Sequence, residues 1–359
     1  MKLVFTGGGT MGSVSPLIAE IDYLLSAHGF LPEDFLWIGT IAGPERAVVK
    51  KYNIKYRAIP AGKLRRYFAW QNLIDPLKVG AGLVSAWQVL RHWRPQVVVT
   101  AGSFVSVPVV LAAKILGIKI LVHQLDLVPG LANRLMSRWA DKVTVSWPEL
   151  LDKFVGEKTE WVGTPIRREI WKPVNVPLTP KLTLLGDRPL LLVMGGGTGA
   201  RDINELVAAQ LPVLLKNWEI FHITGPNKSI HVDLPNNLAK YYQQREFVHD
   251  DLGYLIQAAD VIVARAGIGT ISEIMTMGKS AVIIPIPHSH QEINADYFSR
   301  HGAIIKLDQM KLTGVAFTNQ LNILRTNKKI SDSLKKNSKL LLRDNPSERL
   351  AQAIFALVK

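Results

Sequence analysis

The sequence of 359 residues contains no cysteine, which excludes disulfide bonds, thiolate metal sites and cysteine nucleophiles. A chain without such groups is typical of a cytoplasmic protein. The N-terminus has one lysine and a very short apolar run before a series of glycines, which matches neither a signal peptide nor a membrane helix. No other stretch is apolar for long enough to predict a membrane span.

Acidic residues are also few, since 29 Asp and Glu stand against 43 Lys and Arg and leave a net charge of +14. Such an excess favours an anionic partner, which could be nucleic acid, anionic lipid or a phosphorylated substrate. A generally basic proteome is the alternative explanation. With 48% hydrophobic residues the chain has a globular composition, and its length suffices for two domains.

Short apolar runs alternate with longer helix-like stretches, a pattern that predicts βα units around parallel sheets. The runs of the first half are residues 3–5, 35–38, 97–100, 118–122 and 143–146. Those of the second half are residues 190–194, 219–224, 261–264 and 281–285. Several prolines between residues 163 and 189 mark a domain boundary. We therefore predict two doubly wound α/β domains.

A glycine-rich segment, TGGGTMGSVSP, follows the first apolar run at residues 6–16. Gly7, Gly9 and Gly12 match the G-x-G-x-x-G spacing of a dinucleotide-binding loop. Such a site also needs an acidic side chain about 20 residues further on, at the end of the second strand, to hold a ribose hydroxyl. The second run leads instead into Gly39 and Thr40, with no carboxylate directly after it. A tight turn without a ligand is the alternative interpretation.

The second half repeats this organisation with the segment GGGTGARDIN at residues 195–204. Its next apolar run ends at Thr224 and Gly225, again without an acid, so a nicotinamide-dependent dehydrogenase is disfavoured in both halves. Both loops can still bind an anion, because glycines allow close backbone approach and helix N–H groups point at negative charge. Ligands of open parallel sheets bind beyond the carboxyl ends of the strands, so we expect both loops to face one cleft.

Eight segments that follow one another along nearly the whole chain resemble the MurG family, the peptidoglycan glycosyltransferases that move N-acetylglucosamine from UDP-N-acetylglucosamine to lipid I and so make lipid II. The segments are residues 6–16, 62–76, 101–113, 122–147, 162–167, 194–204, 259–274 and 290–298. The resemblance implies the GT-B fold, an α/β architecture of two Rossmann-like, doubly wound parallel-sheet domains that face a cleft. It implies an inverting transfer with UDP-N-acetylglucosamine as a substrate, and neither a cofactor nor a metal.

The resemblance also implies a division of labour between the two domains. We expect residues 1–163, joined by a C-terminal helix at 342–359, to form the acceptor- and membrane-facing domain. Residues 164–341 would form the domain that binds the UDP-sugar donor. Leu350, Ile354 and Leu357 recur at helical spacing and predict the returning helix.

The donor site is expected in the second domain. Backbone N–H groups at residues 195–200 can bind the diphosphate at a helix start. By resemblance Glu273 would accept from the ribose hydroxyls, with Thr270 near the phosphates; a helix acid without a ligand is the alternative for Glu273. The full set of expected donor residues is Arg167, Gly195, Gly196, Gly197, Thr198, Gly199, Phe247, Gly267, Thr270, Glu273, His290, Gln291 and Asn294. Many members of the family carry serine and glutamine at Gly197 and Thr198, so one donor contact is lost or moved.

The first glycine loop is expected near the diphosphate of the acceptor. The expected acceptor residues are Gly8, Gly9, Thr10, Gly12, Ser13, Gln124 and Asn133. Many members of the family carry histidine at Ser13 and glutamate at Gln124. An unassisted serine hydroxyl is too weakly basic to take a proton from the acceptor. We therefore predict Asp126 as the general base, with His123 positioning it or the acceptor; a core histidine and a helix-capping aspartate are the alternatives.

A basic and aromatic segment lies between residues 61 and 95, where six Lys and Arg accompany one Asp. Cations interleaved with aromatic rings are typical of a protein that rests on an anionic leaflet without crossing it. We expect Arg65, Arg66, Phe68 and Trp70 to bind the inner leaflet, as a peripheral protein on the cytoplasmic face of the cell membrane. Amphipathic core packing is the alternative. The expected partners are UDP-N-acetylglucosamine, an undecaprenyl-diphosphate-linked muramyl peptide and this anionic leaflet, and no nucleic acid.

Two other functions remain open from the sequence. A GT-B transferase could use another lipid or glycan as its acceptor. A noncatalytic protein that binds nucleotide sugars is also conceivable, because Ser13 and Gln124 replace residues that many members of the family carry.

Overall fold

The computed structural model describes residues 1–62, 71–171, 184–197, 199–248 and 251–358, with only the backbone described at 71–77. The chain divides into two compact units. Unit 1 comprises Met1–Arg167 together with Arg343–Lys359, and unit 2 comprises Arg168–Leu342.

Unit 1 contains a sheet of seven parallel strands. They are β1 (Leu3–Thr6), β2 (Phe35–Gly39), β3 (Lys55–Ala58), β4 (Val97–Thr100), β5 (Lys119–Gln124), β6 (Lys142–Val145) and β7 (Thr159–Trp161). Their order across the sheet is β3-β2-β1-β4-β5-β6-β7, so β1 and β4 are neighbours at the centre. Both central strands are wholly buried, as expected of parallel strands covered by helices on both faces.

The helices of unit 1 follow the strands of its sheet. They are α1 (Ser15–Ala27), α2 (Glu45–Lys51), α3 (Gln71–Trp93), α4 (Ser106–Ile115) and α5 (Leu131–Met136), with short 3-10 helices at Pro32–Asp34, Pro148–Lys153 and Gly156–Lys158. Helix α1 buries Leu17, Ile21 and Leu24 on one face. It ends before Gly29, whose positive φ of 67° is the backbone conformation that commonly terminates a helix.

Unit 2 contains a sheet of six parallel strands. They are β8 (Leu190–Met194), β9 (Glu219–Ile223), β10 (Tyr242–Arg245), β11 (Val261–Ala264), β12 (Ser280–Ile283) and β13 (Ile305–Lys306). Their order is β10-β9-β8-β11-β12-β13, which repeats the order of the strands from β3 to β6 in unit 1. The helices are α6 (Arg168–Trp171), α7 (Arg201–Leu214), α8 (Asn236–Ala239), α9 (Leu252–Ala258), α10 (Ile268–Thr276), α11 (His290–Arg300), α12 (Gly314–Thr326) and α13 (Lys328–Leu341).

The main core of unit 2 lies between its sheet and two of the helices. Val193 and Val263 from the central strands pack with Val207 of α7 and Phe317 of α12, and all four are fully buried. The apolar residues of α7 recur at the spacing expected of a helix that packs one face against a sheet.

The last helix, α14 (Pro346–Phe355), belongs to unit 1 and packs on α1. Leu350 and Ile354 are fully buried. The Tyr23 hydroxyl donates to the Glu348 carboxylate, and the ring centroid of Phe355 lies 5.1 Å from that of His28. Polar and aromatic contacts therefore add to the apolar contact between the two helices.

The predicted architecture of two doubly wound parallel sheets is confirmed. The nine apolar runs overlap nine strands, namely β1, β2, β4, β5, β6, β8, β9, β11 and β12. The four strands without a predicted run, β3, β7, β10 and β13, form the edges of the two sheets. No helix in the described ranges is long and apolar enough to cross a membrane.

Candidate functional site

Each sheet has a topological switch point, which is a pair of neighbouring strands from which the chain continues toward opposite edges of the sheet. In unit 1 this point lies between β1 and β4, and in unit 2 it lies between β8 and β11. Ligands of open α/β sheets bind outside the carboxyl ends of the strands at such a point. The loops after β1 and β4, with the loop after β5 beside β4, are therefore the candidate site of unit 1, and the loops after β8 and β11 are the candidate site of unit 2.

The first glycine loop is fixed by side chains from neighbouring strands and loops. Trp37 Nε1 donates to the Gly7 carbonyl at 3.1 Å, and Ser103 Oγ donates to the Gly8 carbonyl at 2.8 Å. Ser103 has a φ of 91°, in the region that favours glycine, so its backbone is strained. This strain accompanies a hydrogen bond that joins the loops after β1 and β4.

The carboxylate of Glu45 also holds this loop. Its side chain is fully buried, and Oε2 accepts from the Gly9 amide at 3.1 Å. Oε1 accepts from the Thr40 amide at 2.7 Å and from the Tyr56 hydroxyl at 3.1 Å. A Cβ atom on Gly8 would lie 2.3 Å from Oε1, so this close approach requires glycine. Burial, followed by the charge of Glu45, raises the pKa of Tyr56.

The sequence pattern does not predict a role for Glu45, because this residue lies in α2, beyond the end of the second strand. Only its side chain returns to the glycine loop. The dehydrogenase pattern expects a carboxylate directly at that strand end, with oxygens available to a ribose. Both oxygens of Glu45 bond instead to groups of the protein itself. This carboxylate therefore does not restore the dinucleotide interpretation.

The remainder of the first loop is more open. Gly9, Thr10 and Gly12 are exposed, whereas Gly8 is buried. The hydroxyl oxygen of Ser13 is buried and has no hydrogen-bond partner among the described residues. No histidine or carboxylate of those residues is therefore bonded to Ser13, and nothing there activates its hydroxyl.

His123 lies in the core beneath the loop that follows β5. It is fully buried; Nδ1 is 2.9 Å from Thr144 Oγ1 and Nε2 is 3.2 Å from Ser146 Oγ. Burial lowers the pKa of His123 to about 3, so the ring is neutral near pH 7. The catalytic role predicted for His123 stays a prediction, and these surroundings do not favour it.

Gln124 and Asn133 form a buried amide pair under the same loop. Asn133 Nδ2 donates to Gln124 Oε1 at 2.7 Å and to the His123 carbonyl at 3.2 Å. Gln124 Nε2 donates to the carbonyl oxygen of Asp126 at 2.6 Å. Asp126 itself is half-buried. The predicted base thus lies on a loop whose backbone is bonded to a buried glutamine.

The second glycine loop, after β8, makes a turn that requires glycine. A Cβ on Gly199, whose φ is 71°, would lie 2.2 Å from the Thr224 carbonyl oxygen. Gly195 is buried, Gly196 half-buried and Gly197 exposed, while Thr198 lies outside the described residues. The loop leads into α7, a helix of 14 residues whose first N–H groups favour an anion.

Lys228 is a residue of this region that sequence patterns did not indicate. Its Nζ donates to the Gly199 carbonyl at 3.0 Å, which brings a cation to the second glycine loop. Asn204 of α7 fixes the same neighbourhood, because Nδ2 donates to the carbonyls of Thr224 at 3.0 Å and Lys228 at 3.1 Å. The lysine lies outside every glycine motif, so only the fold shows this proximity.

The loops after β11 and β12 are joined by two side chains of α11. Gln291 Oε1 accepts from the amides of Ala266 and Ile286, each at 3.2 Å. Asn294 is fully buried and donates to the Ala266 carbonyl at 3.1 Å. These contacts hold the segment that leads into α10.

The other expected donor residues differ in exposure. Glu273 on α10 is 7% exposed, and Thr270 one turn earlier is half-buried. Gly267 is the N-cap residue of α10. His290 and Phe247 are exposed, and Arg167 is half-buried in unit 1.

A buried arginine, Arg265, braces the switch point of unit 2. It donates through one terminal nitrogen to Asp202 Oδ2 at 3.0 Å and through the other to Gln309 Oε1 at 2.6 Å. Burial lowers the pKa of its guanidinium, and the charge of Asp202 opposes this shift. Arg265 therefore ties the first turn of α7 to the end of β11.

Within the described ranges, no three or more His, Asp and Glu side chains are grouped so that they could hold a metal ion. Arg65, Arg66, Phe68 and Trp70, which were expected at the membrane, lie outside the described residues.

Two helix-flanked parallel sheets with glycine loops at their switch points match the GT-B fold of glycosyltransferases. Residues 3–145 match the glycosyltransferase family 28 N-terminal domain, and residues 190–352 match the family's C-terminal domain. The glycotransferase of kitacinnamycin superposes with a TM-score of 0.74 at 15% identity, over 100% of this chain and 99% of the other, and this likeness shows the fold alone.

More similar proteins identify the family. A UDP-N-acetylglucosamine--N-acetylmuramyl-(pentapeptide) pyrophosphoryl-undecaprenol N-acetylglucosamine transferase of Clostridium botulinum is 34% identical over 100% of this chain and 99% of its own length. The enzyme of that name from Shouchella clausii is 38% identical over 87% of each chain. The crystal structure of Acinetobacter baumannii MurG has a TM-score of 0.72 at 25% identity, covering 99% of this chain and 100% of the other. The chain belongs to the MurG family.

Proposed function

We propose that this protein transfers N-acetylglucosamine from UDP-N-acetylglucosamine to lipid I and so forms lipid II for peptidoglycan synthesis. The observation that carries this proposal is the similarity along the whole chain, at 34% identity, to transferases of that name. Matches to both the N-terminal and the C-terminal domain of glycosyltransferase family 28 support it as well.

In this proposal unit 2 binds the donor. The second glycine loop and the first turn of α7 receive the diphosphate, because their N–H groups favour an anion. Lys228, which bonds to Gly199, adds a positive charge beside that loop. Glu273 accepts from the ribose hydroxyls, while Gln291 and Asn294 hold the loops around the sugar.

The acceptor hydroxyl attacks the anomeric carbon of the donor, and UDP leaves with inversion. The enzyme must take a proton from that hydroxyl and stabilise the negative charge of the departing diphosphate. Asp126 is our candidate for the first task, because it is half-buried rather than enclosed in the core. Ser13 is unsuited to it, since its hydroxyl is bonded to no histidine or carboxylate of the described residues.

A transfer assay with radiolabelled UDP-N-acetylglucosamine and lipid I tests the function and the base together. We expect label in lipid II with the unaltered enzyme. Asp126→Asn should lower kcat by about 10² to 10⁴, the usual contribution of acid–base catalysis, with little change in donor affinity. Asp152→Asn, at an exposed aspartate of unit 1, is the matched control.

Three results would overturn parts of this proposal. Near-normal turnover of Asp126→Asn, with a strong loss in His123→Ala, would move the base to His123. Transfer to a different lipid or glycan in an acceptor panel, without transfer to lipid I, would replace the acceptor. Donor binding without turnover on any acceptor would indicate a noncatalytic nucleotide-sugar-binding protein.

We further propose that the protein binds the anionic inner leaflet peripherally through Arg65, Arg66, Phe68 and Trp70. The support is the composition of residues 61–95, and each basic residue near such a surface contributes about 1 kcal/mol. This attraction is screened as the Debye length falls from about 10 Å at 0.1 M salt to about 3 Å at 1 M.

Vesicle sedimentation tests the membrane proposal. Binding to vesicles rich in anionic lipid is expected at low salt and release at high salt. Reversing the charges of Arg65 and Arg66 should reduce binding and leave UDP affinity intact. Reversing Lys328 and Lys329, two exposed neighbours on α13 of unit 2, is the matched control. Equal sedimentation with neutral and anionic vesicles would contradict the electrostatic account.

A further inference from the structure

Gln124 uses both ends of its side-chain amide inside the protein. The oxygen accepts from Asn133 Nδ2 at 2.7 Å, and the nitrogen donates to the carbonyl oxygens of Asp126 at 2.6 Å and Val128 at 3.5 Å. The side chain is 2% exposed. One buried amide thus joins the end of β5, the first turn of α5 and the loop between them.

A carboxylate at this position could not make the same contacts. It accepts hydrogen bonds but has no proton to donate while ionised. Its second oxygen would face the carbonyl oxygen of Asp126 at the distance where Nε2 now donates. Leaving a buried acceptor without its donor is costly, so the loop would shift or the carboxylate would take up a proton.

We propose that Gln124 is a positioning residue, which fixes the loop that carries Asp126. In this chain, unlike the many family members with glutamate at this position, the task requires the amide nitrogen that donates to the Asp126 carbonyl. The proposal rests on the proposed function in one respect, namely the role of Asp126 as base. It differs from the expectation that Gln124 binds the acceptor, because a side chain 2% exposed with both ends bonded internally has little left for a substrate. Asn133, also buried, donates to the oxygen of the glutamine amide and so fixes which end of the amide faces the Asp126 carbonyl.

The sharpest test is the pair Gln124→Glu and Gln124→Met. The introduced carboxyl group is buried, so its pKa is raised, and on acidification it gains a proton that can be donated to the Asp126 carbonyl. Methionine has a similar size and offers no donor at any pH. The two variants should therefore differ in pH dependence even though both lack the amide. Gln88→Glu, on the exposed face of α3, controls for an added charge.

Hydrogen exchange of the peptide spanning residues 125–136 reports on the loop without reference to activity. After correction for intrinsic exchange rates, Gln124→Glu should exchange faster than the unaltered protein at pH 8 and approach it at pH 6. Gln124→Met should exchange faster at both pH values, and Gln88→Glu at neither. Unchanged exchange in both Gln124 variants would overturn the proposal. This measurement decides the point even if the protein has no activity toward lipid I.

Kinetics then connect the loop to the chemistry. A catalytic group that is misplaced by about 1 Å can lower the reaction rate about 10²-fold. We therefore expect kcat of Gln124→Glu at pH 8 to be about 10- to 100-fold lower than that of the unaltered enzyme, with the KM for UDP-N-acetylglucosamine unchanged. The ratio of variant to unaltered kcat should rise as the pH falls. The neighbouring titratable groups, His123 and Asp126, are present in both enzymes, and Gln124→Met serves as the comparison without an added charge.

A different kinetic pattern would contradict a positioning role. If Gln124 touched the acceptor, the acceptor KM would rise while loop exchange stayed unchanged. An unaltered kcat in Gln124→Met, which has no donor at any pH, would show that the missing donor is not the cause. Either result would overturn the proposal while leaving the transferase function intact.

Discussion

The Glu45 carboxylate accepts a hydrogen bond from the amide of Gly9 across 3.1 Å, although 36 residues separate them in the chain. Glycine loops are usually described by the amides that they offer to a ligand phosphate. Here a buried carboxylate of the protein itself accepts the hydrogen bond of one of those amides. The Gly9 amide is therefore already bonded within the protein.

The first prediction follows from this contact. Glu45→Gln should lower the free energy of unfolding by about 1.5 to 3 kcal/mol, the range for hydrogen bonds to charged groups, because the introduced NH2 group would face the donors on Gly9 or Thr40. Urea denaturation measures this loss. Glu33→Gln, at an exposed glutamate, should change little. A Glu45→Gln variant as stable as the unaltered protein would show that the contact is dispensable.

Ser103 provides the second prediction, because its hydroxyl and its backbone act in opposite directions. Ser103→Ala loses the bond to the Gly8 carbonyl and keeps the strained φ of 91°, so it should be destabilised by about 1 kcal/mol. Ser103→Gly loses the same bond and relieves the strain. The glycine variant should then be the more stable of the two by about 1 kcal/mol in the same denaturation experiment. The reverse order would show that this backbone is not strained.

The sequence predicted the centres of both sheets and missed their edges, for a physical reason. A strand buried on both faces appears as a continuous apolar run, as Val97–Thr100 does. The edge strand Lys55–Ala58 is largely exposed and reads KYRA, which resembles a loop. Edge strands are specified by pairing with a neighbour, and sequence periodicity does not record that pairing.

The candidate site was predictable to a similar extent. Glycine loops could be located because tight turns and close backbone approach restrict the residue type. The side chains that hold those loops carry no such local pattern. Glu45, Ser103 and Lys228 reach the glycines only through the fold, and their partners lie between 29 and 95 residues away.

A third prediction concerns a buried acid on α1. Glu20 is fully buried, and among the described residues neither carboxylate oxygen has a hydrogen-bond partner. Burial, followed by the charge of Glu348, raises its pKa well above the ordinary value of 4.5. The folded state therefore favours the protonated form. The contribution of Glu20 to the free energy of unfolding is therefore fully present below pH 4.5. It decreases by about 1.4 kcal/mol per pH unit as the pH rises toward the pKa that Glu20 has in the folded state.

Glu20→Gln should remove this dependence. We expect the variant to gain stability relative to the unaltered protein as the pH increases from 5 to 8, measured by urea denaturation at each pH. Glu33→Gln should leave the slope unchanged, because that side chain is exposed. Parallel stability curves for Glu20→Gln and the unaltered protein would mean that Glu20 titrates normally in the fold.

The last prediction concerns the donor. Glu273 is 7% exposed on α10, one turn after Thr270 and close in sequence to the N-cap residue Gly267, at the carboxyl edge of the sheet where a nucleotide is expected. If its carboxylate accepts from the ribose hydroxyls, Glu273→Ala should weaken UDP binding by about 1.5 to 3 kcal/mol in titration calorimetry, the value of hydrogen bonds to a charged group. Glu273→Gln keeps an acceptor oxygen without the charge, so its loss should be smaller. Glu205→Ala, at an exposed glutamate of α7 in the same unit, should bind UDP normally. Unchanged affinity in a folded Glu273→Ala variant would reduce this residue to a helix acid without a ligand, and the ribose contact would then have to come from another residue of unit 2.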